Sequence, residues 1–243
     1  MIECSILKVA VSEHTQDCTD EGVQIFGGMG YSAEMPMESA WRDARISRIY
    51  EGTNEINRML TVGMLIKKAV KGHLDLIGPA TAVGEELLGI PSFDTPDFSA
   101  PLSEEKSILR NLKKVFLMIA GAGVQKYGTE LEQHQQLLLA VSDILIEIYM
   151  VESAILRTEK NINRYGVDAQ QTQLAITKLY LFQAVEKIQS KAKEAIISST
   201  EGDEQKMLLM GLKRFTKYAN HPNVIDLRKQ IADKVIAENQ YCL

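Results

Sequence analysis

Apolar side chains in the second half of the chain recur at the spacing of an α-helix. Six of them follow one another at intervals of one to four residues: Val141, Ile144, Leu145, Ile148, Val151 and Ile155. Because an α-helix repeats about every 3.6 residues, this pattern places them on one face and predicts a long amphipathic helix. Aromatic residues make up only 6% of the 243 residues, and Leu, Ile, Ala, Lys and Glu dominate, which favours helices over β-sheets. The chain is therefore predicted to be all-α.

The region before residue 75 shows the start and stop signals of three helices. Glycines 27, 28 and 30 end the first, because glycine accepts the left-handed backbone angles found after a helix. Pro36 suits the first turn of the second helix, and Thr53 is placed to cap the third. The predicted helices cover residues 2–26, 36 to about 49, and 54 to about 72.

Residues 90–101 contain three prolines and are predicted to be non-helical. The segment 76–101 is interpreted as a linker between residues 1–75 and a second region, 102–243. Ser103 begins a helix in that region, and Gly166 separates the long amphipathic helix from a second long one. Shorter helices are expected at about 203–219 and 223–240. Short connections between long amphipathic helices indicate an antiparallel helical bundle.

Charge and cysteine content exclude several classes of protein. The net charge is −5, and neither region concentrates Lys and Arg as a nucleic-acid surface does. The three cysteines lack the C-x-x-C spacing of a metal site, so no metal is expected and the thiols are predicted to be reduced. Acidic residues interrupt the longest apolar stretch, 137–156, which argues against a transmembrane segment. No signal peptide is recognisable, and a cytoplasmic location is expected.

Glu51 lies between two predicted helices and is followed by Gly52 and Thr53. A carboxylate in such a loop can be held against a bound ligand and act as a base. Turn and capping chemistry also explains all three residue types, so the motif alone does not decide between the two interpretations.

Three blocks of sequence give the loop a context. Residues 23–31 (VQIFGGMGY), 42–46 (RDARI) and 49–56 (IYEGTNEI), in this order and spacing, resemble the final helices of acyl-CoA dehydrogenases. The resemblance covers about residues 2–70. The helical region that follows resembles the carboxyl-terminal extension of the long-chain and very-long-chain members, although its sequence is less specific.

The resemblance implies a dimeric or tetrameric homo-oligomeric flavoprotein that removes two hydrogens from an acyl-CoA thioester, with FAD as the acceptor. Glu51 matches the base that takes the proton next to the thioester carbonyl. Such a base must be close to the substrate and partly desolvated. An electron-transfer flavoprotein is the expected partner that reoxidises the flavin, and oxygen remains an alternative acceptor.

The resemblance also implies cofactor contacts. Gln24, Gly27 and Gly28 match positions that lie against the FAD of a neighbouring subunit, where the absence of side chains lets the backbone approach phosphate. The same glycines are also explained as a helix end. They follow a helix and lack the G-x-G-x-x-G order, so a dinucleotide-binding strand–turn–helix motif is excluded.

Thr53 and Glu55 match positions near the nucleotide part of FAD in the same subunit, and Asn54 offers an amide beside them. Glu55 is the weaker candidate, because a carboxylate near pyrophosphate is repelled unless it points away. Tyr50 and Gly52 are candidate substrate-binding residues, although a tyrosine at a helix end often packs into a core.

The amino-terminal and middle domains of the family have no counterpart in this sequence. We therefore expect the chain to be a C-terminal fragment that is inactive in isolation, because a base cannot act without its electrophile in reach. The alternative is a non-catalytic helical oligomerisation or interaction module derived from that family.

Overall fold

The computed structural model describes residues 1–89 and 98–242, and all regular structure within these ranges is helical. Among them, no helix combines the length and apolar character needed to cross a bilayer. The prediction of an all-α chain is confirmed. The helices in chain order are α1 (Ile2–Phe26), α2 (Pro36–Ile46), α3 (Asn54–Val70), α4 (Ile77–Leu88), α5 (Ser103–Tyr127), α6 (Gln135–Tyr165), α7 (Gln171–Ser199), α8 (Gly202–Phe215) and α9 (Val224–Glu238), with 3-10 turns at Gly27–Tyr31, Gly128–Gln133 and Asp168–Gln170.

The described chain forms two compact units. The first comprises Met1–Leu74 and Glu132–Ser142, and the second comprises Asp75–Leu131 and Asp143–Leu243. The predicted non-helical segment 90–101 falls mostly outside the described residues, and the part that is described, 98–101, is not helical.

In the first unit, α2 runs antiparallel to α1, and α3 packs against α1. Trp41 Nε1 on α2 donates to Asp20 Oδ1 on α1 at 2.9 Å, near the end of α1. Arg58 on α3 instead binds Glu13, halfway along α1. The buried apolar side chains of this unit include three at helical spacing on α1, Ile6, Val9 and Ala10, and Val62 on α3.

In the second unit, α6 lies antiparallel to both α5 and α7. Lys113 on α5 binds Glu152 on α6 at 2.6 Å, and Thr158 on α6 shares a buried 2.8 Å hydrogen bond with Thr177 on α7. The predicted face of α6 is buried, with Leu145 only half-buried. Fully buried members of this core come from four helices: Leu112, Val115, Ile119, Ile144, Val151, Ile155, Leu181, Ile188 and Phe215.

Helix α2 ends at Ile46, three residues before the predicted end near Ile49. The backbone changes there to bonds between residues three apart, such as Ser47 N to Ala44 O at 3.2 Å. The Ser47 hydroxyl also donates to Ala44 O at 2.6 Å. A serine that bonds the last carbonyls competes with continuation of the helix, and the chain turns earlier than its apolar pattern indicates.

Helix α4 lies inside the segment that was interpreted as a linker. Two glycines and a proline lower its intrinsic helix propensity, which explains why the sequence pattern misses it. The side chain of Asp75 accepts from Gly78 N at 3.2 Å and so satisfies a free amide of the first turn. Glu86 binds Lys114 at 2.8 Å and Arg214 at 3.3 Å. Tertiary contacts within the second unit therefore stabilise a helix that local propensity disfavours.

Candidate active-site loop

The loop between α2 and α3 holds Glu51 in a left-handed backbone conformation. Its φ is 56°, and that of Gly52 is 84°. Only three non-glycine residues in the described chain have positive φ, and this conformation costs a non-glycine residue about 1–2 kcal/mol. The Glu51 side chain is exposed, as is that of Tyr50, of which 54% is accessible. The surrounding structure must therefore offset the cost of this backbone conformation, in which the carboxylate of Glu51 is exposed to solvent.

Two side chains fix the carbonyl of Gly52. Lys8 Nζ on α1 donates to it at 2.8 Å, and Asn57 Nδ2 on α3 donates at 2.9 Å. A Cβ on Gly52 would lie 3.1 Å from Asn57 Nδ2. A side chain at this position is therefore disfavoured both by the positive φ and by the close contact with Asn57. The Gly52–Thr53 peptide, one residue beyond Glu51, is thus anchored to both neighbouring helices.

Asn54 connects the loop to α1. Only 1% of this residue is exposed, and its Oδ1 accepts from Lys8 Nζ at 2.6 Å. Its Nδ2 donates to Ser12 Oγ and to Glu13 Oε1, both at 3.0 Å. Its backbone N–H donates to Arg48 O at 3.1 Å. The amide that the sequence suggested for the cofactor therefore faces α1, with its hydrogen-bonding capacity used inside the fold.

Glu13 is the charged centre beneath the loop. Its carboxylate binds Arg58 through two bonds of 2.8 and 2.7 Å and approaches Arg48 at 3.9 Å. Burial alone would raise the pKa of Glu13, but hydrogen bonds from Arg58 and Asn54, together with both positive charges, outweigh burial and lower the pKa below 4.5. Arg48 is thus ion-paired inside the fold.

Thr53 and Glu55 take part in capping α3. Thr53 Oγ1 accepts from Ile56 N at 3.3 Å, which confirms the predicted N-cap. The Glu55 carboxylate accepts from its own backbone N–H and from the Thr53 hydroxyl, and these bonds lower the pKa of Glu55. Both residues satisfy free amides of the first turn. Their contact with a cofactor remains a prediction.

Gln24, Gly27 and Gly28 lie at the other end of α1 and are exposed. The 16 residues from Lys8 to Gln24 rise roughly 24 Å at about 1.5 Å per residue, so these residues and the Glu51 loop form two separate groups within one chain. Gly27 has a φ of 59°, and no atom lies within 4 Å of a Cβ built on Gly27 or Gly28. Their backbone is therefore open to a ligand.

Sequence reasoning missed the residues that hold the loop. Lys8, Ser12 and Glu13 lie 38 to 43 residues before Glu51, and each is an ordinary polar residue of a helix. Their spacing on one face of α1 is the one signal that was present, and it does not reveal what that face contacts. Among the described residues, no group of three or more His, Cys, Asp or Glu is arranged to hold a metal ion.

Comparisons with known proteins give this arrangement a family. Two models described as "Acyl-CoA dehydrogenase, C-terminal domain" match residues 1–65 and 111–214. A probable acyl-CoA dehydrogenase of Bacillus subtilis is 40% identical over 99% of this chain and 40% of its own length. The very long-chain specific mitochondrial acyl-CoA dehydrogenase of Rattus norvegicus is 27% identical over 89% of this chain and 35% of its own.

A solved structure is similar throughout. The crystal structure of an acyl-CoA dehydrogenase complexed with FAD from Bacillus anthracis superposes with a TM-score of 0.93 at 39% identity, covering 100% of this chain and 40% of that one. The fold and these matches thus define an all-α domain of the kind found at the C-terminal end of acyl-CoA dehydrogenases. The chain belongs to the acyl-CoA dehydrogenase family and corresponds to its C-terminal part, spanning about 40% of the length of the Bacillus relatives.

Proposed function

We propose that this chain is the C-terminal part of an FAD-dependent acyl-CoA dehydrogenase and that Glu51 is the base for α,β-dehydrogenation of a fatty acyl-CoA. The observation that carries the proposal is the exposed carboxylate on a left-handed backbone, anchored on both sides by α1 and α3. A base must be held in reach of its proton, and a fixed loop achieves this. The Glu51 carboxylate accepts the proton on the carbon next to the thioester carbonyl.

The residues at the end of α1 fit the cofactor. Gly27 and Gly28 leave open the space that a Cβ would fill, so their backbone can approach phosphate oxygens, and exposed Gln24 offers an amide beside them. When bound, FAD supplies the acceptor for the two electrons and the second hydrogen. Thr53 and Glu55 are the proposed contacts from the Glu51 loop, and Tyr50 and Gly52 line the acyl-CoA.

The separation of the two groups along α1 supports an oligomer. Residues at opposite ends of one helix contact one cofactor more readily when one group comes from a second copy of the chain. Four large apolar residues are exposed beside the glycines, Ile25, Phe26, Met29 and Tyr31, and Ile25 is 81% accessible. A dimer or tetramer would cover such a surface. An electron-transfer flavoprotein is the proposed acceptor of electrons from the flavin.

The isolated chain is proposed to be inactive. Glu51 is exposed, and the described residues do not cover it, so water competes for the carboxylate and no wall holds a thioester against it. Incubation of the isolated chain with FAD and acyl-CoA substrates from butyryl-CoA to palmitoyl-CoA should give no oxidation. Turnover by the isolated chain would contradict this part of the proposal.

The deciding experiment uses the complete dehydrogenase with Glu51→Gln. We expect flavin content and acyl-CoA binding to persist while kcat falls by about 10²–10⁴-fold, the contribution typical of a general base. Glu34→Gln, an exposed glutamate in the loop before α2, is the matched control and should keep full turnover. Unchanged turnover in Glu51→Gln would show that Glu51 is not the base, whereas no acyl-CoA oxidation by the unmodified complete protein would favour a non-catalytic helical interaction module.

A further inference from the structure

Lys8 on α1 contacts the backbone of the candidate active-site loop through its charged group. Its half-buried ammonium donates to Gly52 O at 2.8 Å and to Asn54 Oδ1 at 2.6 Å. Charge-assisted hydrogen bonds of this length are stronger than neutral ones. Lys8 therefore bridges two oxygens on either side of Thr53.

The bridge acts where the backbone is strained. Glu51, with a φ of 56°, reaches ordinary angles by rotation about its own N–Cα bond, which turns the residues that follow it when Tyr50 stays in place. Such a rotation would move the Gly52 carbonyl away from Lys8 and Asn57. Two donors on one carbonyl therefore oppose relaxation, and one of them carries a full charge.

Asn54 makes the bridge rigid. The amide of Asn54 is tied to Ser12 and Glu13, and Glu13 is in turn bound by Arg58. The ammonium of Lys8 is thus held between a strained loop and a buried polar network that cannot shift independently. Without such fixed partners the lysine side chain would keep its rotamer freedom in solvent, because ordering it costs conformational entropy.

We propose that Lys8 is a positioning residue for Glu51, which keeps the left-handed conformation of the loop and thereby the place of the carboxylate. This inference rests on the proposed role of Glu51 as the base. Lys8 does not itself contact substrate or cofactor in this scheme. It acts through the Gly52 carbonyl and the Asn54 amide.

The first test uses the isolated chain and does not depend on activity. Lys8→Met keeps the length of the side chain and removes the charge, and Lys68→Met makes the same change at an exposed site near the end of α3. In nuclear magnetic resonance spectra, Lys8→Met should change the backbone shifts and the φ-dependent coupling of Glu51 and speed amide exchange at residues 50–53. Helix content should stay constant, and Lys68→Met should leave the loop signals unchanged.

The second test uses the complete dehydrogenase. A loop displaced by about 1 Å reduces the rate by up to about 10²-fold, so kcat of Lys8→Met should fall about 10–100-fold while KM and flavin content change less than about threefold. Lys8→Arg retains a charged donor that can bridge two oxygens and should recover most of kcat.

Four outcomes decide between the two inferences. Unchanged loop signals in Lys8→Met would overturn the positioning role, as would unchanged kcat or a loss of flavin that accounts for the whole defect. If the loop signals change but Glu51→Gln remains active, the proposed base is wrong and Lys8 positions a loop without catalytic function. The two failures are therefore distinguishable.

Discussion

The two terminal nitrogens of Arg58 donate to the two carboxylate oxygens of Glu13, at 2.8 and 2.7 Å. This paired contact joins α3 to α1 below the loop that carries Glu51. Both side chains are mostly buried, with 15% of Arg58 and 28% of Glu13 accessible, so solvent screens the pair less than it screens a surface ion pair. Removing either partner would leave the other charge without its main counterpart.

The first prediction concerns acid stability. Because the folded state lowers the pKa of Glu13 below 4.5, the unfolded chain takes up this proton first, and the stabilisation present above that pH is lost as the pH falls through the lowered pKa. Glu13→Gln should lower stability at neutral pH and make the loss below about pH 4.5 shallower. Urea unfolding from about pH 7 to about pH 3 measures both.

Glu21→Gln is the control for this experiment, because Glu21 is exposed on the same helix. Its loss of stability at acid pH should follow that of the unmodified chain. If Glu13→Gln lost stability at acid pH as steeply as the unmodified chain does, the Glu13–Arg58 pair would not be linked to stability.

The second prediction concerns Asn54→Ala. The change removes the partner of Lys8, Ser12 and Glu13 at a site that is 1% exposed, and unsatisfied buried groups cost about 1–3 kcal/mol. We expect a loss of about 2–3 kcal/mol in the free energy of unfolding. Asn163→Ala, at an exposed position of α6, should change stability by less than about 0.5 kcal/mol. Equal effects at the two sites would contradict the role given to Asn54.

The third prediction compares two glycines of the turn after α1. A Cβ on Gly30 would meet Val23 O at 2.6 Å and Phe26 Cβ at 2.8 Å, whereas a Cβ on Gly28 meets no atom within 4 Å. Gly30→Ala should therefore destabilise the first unit by about 1–3 kcal/mol, since the backbone must shift. Thermal unfolding of Gly28→Ala should match that of the unmodified chain, and a larger loss at Gly28 than at Gly30 would contradict the close packing at Gly30.

The fourth prediction tests the core of the second unit with two adjacent residues of α6. Ile155 is 1% exposed and Leu156 is 56% exposed. Ile155→Ala should cost about 2–5 kcal/mol through lost burial and the cavity that remains. Leu156→Ala should cost under about 1 kcal/mol in the same denaturation experiment. Similar losses in both variants would contradict the assignment of Ile155 to the inward face of α6.

Local signals predicted much of the first unit correctly. The bounds of α1 agree with the prediction, Pro36 begins α2, and Thr53 caps α3. Each of these depends on backbone angles and hydrogen bonds within a few residues, which the sequence reveals directly. Helix α4 was missed because its glycines and proline point away from a helix, and its partners Lys114 and Arg214 are distant in sequence.

In the candidate site, too, the sequence predicted the short-range features and missed the contacts between residues distant in sequence. The sequence by itself determined an all-α chain and placed Glu51 and Gly52 between two helices, because spacing, capping and glycine conformations are short-range properties. Only the tertiary structure decided that Lys8 binds Gly52 across 44 residues of sequence, that Asn54 faces inward, and that Gln24 lies far along α1 from the loop. Which polar groups meet depends on which helix faces pack together, and that choice is made by the whole core.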